Sequence, residues 1–268
     1  VSGSPVSVGP APVATESGRR LAWIFYGGLG LAMLVIILGL HTRVLPGAAA
    51  STFAYNSEGY FFAFFMAAWI QFGLPRLPSG SRGLSIAAGA GVAFAALGLA
   101  LLSIDGLRSS IATLNEPALA LAVLVPYASL PRPLPRWAPL GLSLVVLIIV
   151  AIGLWAGDPQ PGVQLGSVNW VIATAEMMAL IFLAPIVLDL TCPWILDRSR
   201  RGRALLVPTL VGLLLVPVVV SGLGRAARAG DTWLPLMLNY LGRSHEAFVG
   251  FLLLVAYFWL RGRTRRVG

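Results

Sequence analysis

The chain has 268 residues, 57% of them hydrophobic and 11% charged, with a mean hydropathy of +0.85. A soluble domain needs more polar surface than this composition supplies, so an ordinary water-soluble enzyme is excluded and an all-α, polytopic helical membrane protein is expected. The net charge of +9 excludes nothing by itself, but the basic residues fall in short runs between apolar stretches, which is the pattern of membrane topology and not of nucleic-acid binding.

Residues 1 to 18, rich in Ser, Pro, Gly and Val, lack helical periodicity and are expected to form a disordered cytoplasmic tail. A bilayer crossing takes about 20 mostly apolar residues. Applied in chain order, that length predicts eight spans, at 21 to 41, 57 to 75, 83 to 103, 110 to 129, 137 to 156, 167 to 190, 204 to 222 and 243 to 261. The first apolar run is longer than the core of a secretory signal, so it is read as a span and not as a cleaved leader. Together they make one transmembrane domain over 19 to 262, followed by a basic cytoplasmic tail at 263 to 268.

Charge orients the bundle. With both ends inside, Arg19, Arg20, Arg76, Arg82, Arg132, Arg136, Arg198, Arg200, Arg201, Arg203, Arg261, Arg263, Arg265 and Arg266 are cytoplasmic, leaving Arg43, Arg108, Arg225, Arg228 and Arg243 outside. Every inner segment then carries at least two Arg, as an N-in, C-in arrangement requires. All basic residues are Arg, which suits the codon usage of a GC-rich genome, so the expected location is the plasma membrane of a GC-rich bacterium. The runs Arg198 to Arg203 and Arg261 to Arg266 are basic enough to touch anionic lipid, making membrane lipids the expected partners.

Cys192 is the sole cysteine and His41 and His245 the only histidines, so neither an internal disulfide nor a cysteine metal cluster is available, and no metal or cofactor is predicted. The glycines at 27, 28 and 30, and the series Ala87, Gly91, Ala95, lie inside apolar helices without a preceding strand, which predicts close helix packing and not a dinucleotide loop. The two four-span halves share no motif at matching positions, and no internal repeat is expected.

Charge inside the hydrocarbon is costly, at about 2.5 to 3.5 kcal/mol even on lenient scales, so each acid there needs a reason. Glu58 is expected at the outer mouth of span two, Glu116 about two turns into span four, Glu176 near the middle of span six, and His245 with Glu246 at the outer mouth of span eight. Asn115, Glu116 and Pro117 mark either an interrupted helix lining a polar cavity or a proline tolerated in the first turns of a helix. Asn169 and Glu176, seven residues apart, share one helical face. His245 and Glu246 point about 100° apart in a regular helix and cannot both face one ligand without a bend.

These residues predict an acid–base site for a lipid-soluble or lipid-linked substrate. Its catalytic candidates are Glu116, Glu176, His245 and Glu58, and Asn115, Asn169, Arg243 and Arg108 bind substrate. The chemistry is that of a transferase or of an acid-initiated isomerase or cyclase. The run Leu241, Gly242, Arg243, Ser244, within Pro235 to Phe248, resembles the opening of the final helix in polytopic acyltransferases that modify sugars, and the resemblance implies the transferase form. That family's first-span Arg and His signature is not met, because His41 lies far along the chain from Arg20, and eight spans fall short of the family's usual number. The same acids also fit a proton- or cation-coupled transporter, and a scaffold would use them in helix-to-helix hydrogen bonds.

Overall fold

The computed structural model describes residues 16–42, 56–103, 112–131, 134–135, 137–155, 168–191 and 233–263, together with positions 211, 212, 215 and 219. The described residues are all-helical, with no strand among them. We number the α-helices α1 (Glu16–Thr42), α2 (Ser57–Ala68), α3 (Ser81–Leu102), α4 (Asn115–Ala128), α5 (Trp137–Trp155), α6 (Val168–Ala173), α7 (Ala175–Pro185), α8 (Trp233–Arg243) and α9 (His245–Arg263). Two π-turns extend α2 and α7, at Trp69–Gly73 and Ile186–Thr191, and a 3-10 turn, Ala112–Leu114, leads into α4.

Helical segments cover seven of the eight expected spans, and the stretch at 204 to 222 lies almost wholly outside the described residues. Of the expected tail at 1 to 18, residues 1 to 15 lie outside the described residues, and residues 16–18 are helical, with Glu16 opening α1. At the other end α9 runs through Arg263, the first residue assigned to the basic tail. The amphipathic α8 was not expected, because its mixed polar and apolar sequence falls below the threshold of an apolar span. Two helices among the described residues, α3 and α5, are long and apolar enough to cross a membrane by length and composition.

Four helices, α2, α4, α7 and α9, form a closed inner ring in which each packs on the next and α9 packs back on α2. Around it α3 lies against α4, α5 against α7, and α1 against both α2 and α9. Each inner helix begins beside its glutamate and the four glutamates line one cavity, so the inner four run in the same direction.

The expectation of no repeat is overturned. Glu58, Glu116, Glu176 and Glu246 each stand second in an inner helix, at intervals of 58, 60 and 70 residues (58 to 116, 116 to 176, 176 to 246). Eight residues beyond each Glu stand Met66, Leu124, Ala184 and Leu254, all fully buried. Five residues beyond stand Ala63, Leu121, Ile181 and Phe251, also buried. This is the spacing of one helical stripe turned to a common axis. Among the described residues the repeating unit is an inner helix opened by a glutamate, and a comparison of halves misses it because the four share little beyond that glutamate and buried apolar positions.

Close approach holds the ring. A Cβ on Gly59 would sit 2.5 Å from the Glu246 carbonyl oxygen and 3.0 Å from the Gly250 nitrogen, so only glycine lets α2 and α9 meet. Gly91 does the same for α3 and α4, where a Cβ would lie 2.5 Å from the Ala122 carbonyl. Among the described residues nothing meets a Cβ at Gly27 or Gly28, contrary to the packing expected there, whereas Gly30 meets Phe64.

Candidate functional site

At the end of the ring where the four glutamates stand, a cavity of about 350 Å³ is lined by Glu58, Thr113, Glu116, Ile172, Ala175, Glu176, Gly242, Arg243, His245 and Glu246. Its polar groups come from all four repeats. Glu58, Glu176 and Glu246 are buried, Glu116 and His245 half-buried, and the Arg243 side chain is exposed at the rim.

The glutamates form a relay of caps. Helix starts leave backbone amides without intrahelical partners, and α2, α4 and α7 have no side-chain cap of their own. The caps come from the preceding repeat instead. Glu116 Oε2 accepts from the Met177 amide at 3.1 Å, Glu176 Oε1 from the Glu246 amide at 3.0 Å, and Glu246 Oε2 from the Glu58 amide at 2.9 Å. Each carboxyl group thereby meets the positive end of the next inner helix, a favourable position for it.

The fourth joint differs. At this joint the position matching Met177 is Pro117, which has no amide hydrogen, whereas the position matching the Glu58 and Glu246 donors is Glu116, which keeps its own. Thr113 and Glu58 line the cavity together at this joint. Pro117 is the third residue of α4, so it sits in the first turn, where proline is tolerated, and does not interrupt the helix.

His245 Nδ1 lies 3.9 Å from Glu176 Oε1. His245 and Glu246, the first two residues of α9, line the same cavity, contrary to the expectation for one regular helix. Of the expected binding residues, Arg243 lines the cavity, whereas Asn115 is buried and its carbonyl oxygen faces Gly98 of α3. Arg108 and the side chain of Asn169 lie outside the described residues. Thr113 was missed as a side-chain ligand, since a lone Thr before an apolar helix carries no signal. Among the described residues no three carboxyl, imidazole or thiol groups are placed to hold a metal ion together.

The far end of the ring repeats the same handedness. Eleven residues after the glutamates stand Trp69, Tyr127, Val187 and Tyr257, and thirteen after stand Gln71, Ser129, Asp189 and Trp259. Trp69 Nε1 donates to Ser129 Oγ at 2.9 Å, Tyr127 Oη donates to Asp189 Oδ2, and Tyr257 Oη donates to Gln71 Oε1 at 2.6 Å. Each bond runs from the earlier position of one repeat to the later position of the next, with Val187 the apolar exception. Between the two rings lie fully buried apolar side chains, among them Phe62, Met66, Leu121, Leu124 and Leu254, so the cavity is blind.

Beside it, between α5, α7, α8 and α9, an apolar groove of about 250 Å³ is lined by Val146, Val150, Phe182, Leu183, Tyr240 and Phe248 among others. No family model, curated protein or solved structure matches the chain.

Proposed function

We propose that the chain is an integral membrane protein of eight crossings, N-in and C-in, whose outward-facing cavity carries out acid–base chemistry on a lipid-soluble or lipid-linked substrate. The reaction is that of a transferase or of an acid-initiated isomerase or cyclase. The membrane assignment draws support from the outer helices. On α5, Leu140, Leu144, Ile148 and Ile152 form an exposed stripe, and Trp137 and Trp155 at its two ends are 74% and 82% exposed. Nineteen residues at 1.5 Å each make a helix of about 28 Å, close to the hydrocarbon thickness, so its indoles reach both interfaces.

The observation that carries the enzymatic reading is that four carboxyl groups, an imidazole and a guanidinium meet in a blind cavity beside an apolar groove. A blind site suits chemistry better than passage, and the groove gives an apolar chain a place next to the acids. Breaks in the inner helices at Thr174 and Ser244 favour the second reading, a proton- or cation-coupled transporter with moving half-helices.

Single cysteines replacing Thr113, Arg243 or His245 in a Cys192→Ala background, labelled with a membrane-impermeant maleimide, separate the two. Reaction from the outer face alone supports the enzyme. Reaction that moves to the inner face under any ion or pH gradient means alternating access and overturns it.

A further inference from the structure

A ligand touches only surface, and the four glutamates differ in how much of it they show. Glu58, Glu176 and Glu246 are buried, and Oε2 of Glu58, Oε2 of Glu176 and both ring nitrogens of His245 are wholly covered. Glu116 is half-buried and Arg243 is exposed at the rim. The charged surface that the cavity offers is therefore chiefly one carboxyl group and one guanidinium. The apolar groove shares a wall with the cavity. Along the run from α8 into α9, Tyr240, Ser244 and Phe248 line the groove, whereas Arg243, His245 and Glu246 line the cavity. On α7, Glu176 lines the cavity and Ala179, nearly one turn further on, lines the groove. Leu147, on the opposite wall of the groove, is 52% exposed, so the groove opens sideways on the lipid-facing surface of α5.

We propose that cavity and groove together hold one aminophospholipid, with its phosphate on the Arg243 guanidinium, its primary ammonium on the Glu116 carboxyl group, and one acyl chain in the groove between α5, α7, α8 and α9. The assignment rests on the acid–base reading of the cavity and deepens it by naming the substrate class. Charge complementarity selects the head. A purely anionic head leaves Glu116 unmatched, a purely cationic one leaves Arg243 unmatched, and a zwitterion satisfies both. A guanidinium grips phosphate through two parallel hydrogen bonds, and a primary ammonium brings three donors to a carboxylate, where a quaternary one brings none. Direction agrees as well. On α7 and α9 the groove residues Ala179, Phe182 and Phe248 lie further along the helices than Glu176 and Glu246, so a chain in the groove points toward the bilayer middle, as that of a lipid does. At about 250 Å³ the groove falls below the roughly 300 to 1,000 Å³ of pockets for drug-sized ligands, so it takes a single chain and leaves the second in the bilayer.

The test uses the full chain in phosphatidylcholine nanodiscs and a trace of phosphatidylethanolamine carrying a photoreactive diazirine in one acyl chain, with peptide mass spectrometry to read where it attaches. Adducts are expected at 179–183 and 248, severalfold denser than on α3, whose Ile86, Val92 and Leu99 face the surroundings directly. Changing the bulk lipid to phosphatidylethanolamine should cut the groove adducts severalfold, and changing it to phosphatidylglycerol should not. Glu116→Gln keeps an acceptor for the Met177 amide and should erase that difference. In Arg243→Ala, hexadecylamine, which has the ammonium and no phosphate, should displace the probe severalfold more readily than in the parent. Leu147→Trp, a change at an exposed position, should block the groove adducts while the thermal midpoint holds. Adducts no denser in the groove than on α3, or bulk lipids that all compete alike, overturn the assignment. If that happens while cysteines at 113 and 245 react from the outer face alone, the cavity reading stands and only the lipid falls. If those cysteines react from the inner face, both fall.

Discussion

Replacing Gly59 by alanine tests the ring closure directly. The added methyl would sit 2.5 Å from the Glu246 carbonyl oxygen, and ordinary contact begins near 3.4 Å, so α2 and α9 must part by roughly 0.9 Å. Both obstructing atoms, the Glu246 oxygen and the Gly250 nitrogen, are backbone and cannot turn aside. Overpacking of this kind costs about 1 to 3 kcal/mol. The same movement would stretch the 2.9 Å bond from the Glu58 amide to Glu246 past hydrogen-bonding distance, adding about 1 kcal/mol. Gly28→Ala is the matched control: nothing lies within 4 Å of its Cβ, and alanine in a helix gains about 0.5 to 1 kcal/mol over glycine. The two variants should therefore move the thermal unfolding midpoint in detergent in opposite directions, Gly59→Ala down and Gly28→Ala level or up. A Gly59→Ala protein as stable as the parent would refute the close approach of α2 and α9, and with it the closed ring.

Two further outcomes follow from the clasps and the far ring. Glu116→Ala and Glu246→Ala each remove an acceptor from a helix start and should lower stability by about 0.5 to 2 kcal/mol, whereas the Gln variants keep an acceptor oxygen and should lose less, as read by denaturant titration. Tyr257→Phe leaves Gln71 Oε1 without its donor and should cost about 1 to 3 kcal/mol, while Val187→Thr, at the one apolar position of that ring, should have a smaller effect in the same titration.

Hydropathy alone located the helical segments well, because a 20-residue apolar run has few other solutions. α5 was expected to end at 156 and ends at Trp155. Depth and spacing brought Glu58, Glu116, Glu176 and the pair at 245 and 246 under notice one by one, since an acid in an apolar run stands out from its neighbours. Their common geometry was not legible. Each repeat contributes a single glutamate, the interval lengthens from 58 to 70, and the partners of three of them are backbone amides, which leave no mark in a sequence. Pro117 was noticed for the hydrogen bond it removes from its own helix, yet it stands in the first turn of α4, where that bond is not needed. Thr113 and the far-end pairs were hidden for a similar reason: Trp69 with Ser129 and Tyr257 with Gln71 lie 60 and 186 residues apart and mean nothing until the repeats are superposed.

The relay of caps also governs how the bundle yields. Three joints of the inner ring are fastened by a carboxyl group on a backbone amide, which can separate only if a helix start is uncapped. The joint between α2 and α4 has no such clasp at the cavity end and is fastened at the other, where Trp69 Nε1 donates to Ser129 Oγ. A hoop riveted at three of its four joints should yield at the fourth, so hydrogen exchange at the cavity end is expected to be fastest where α2 meets α4.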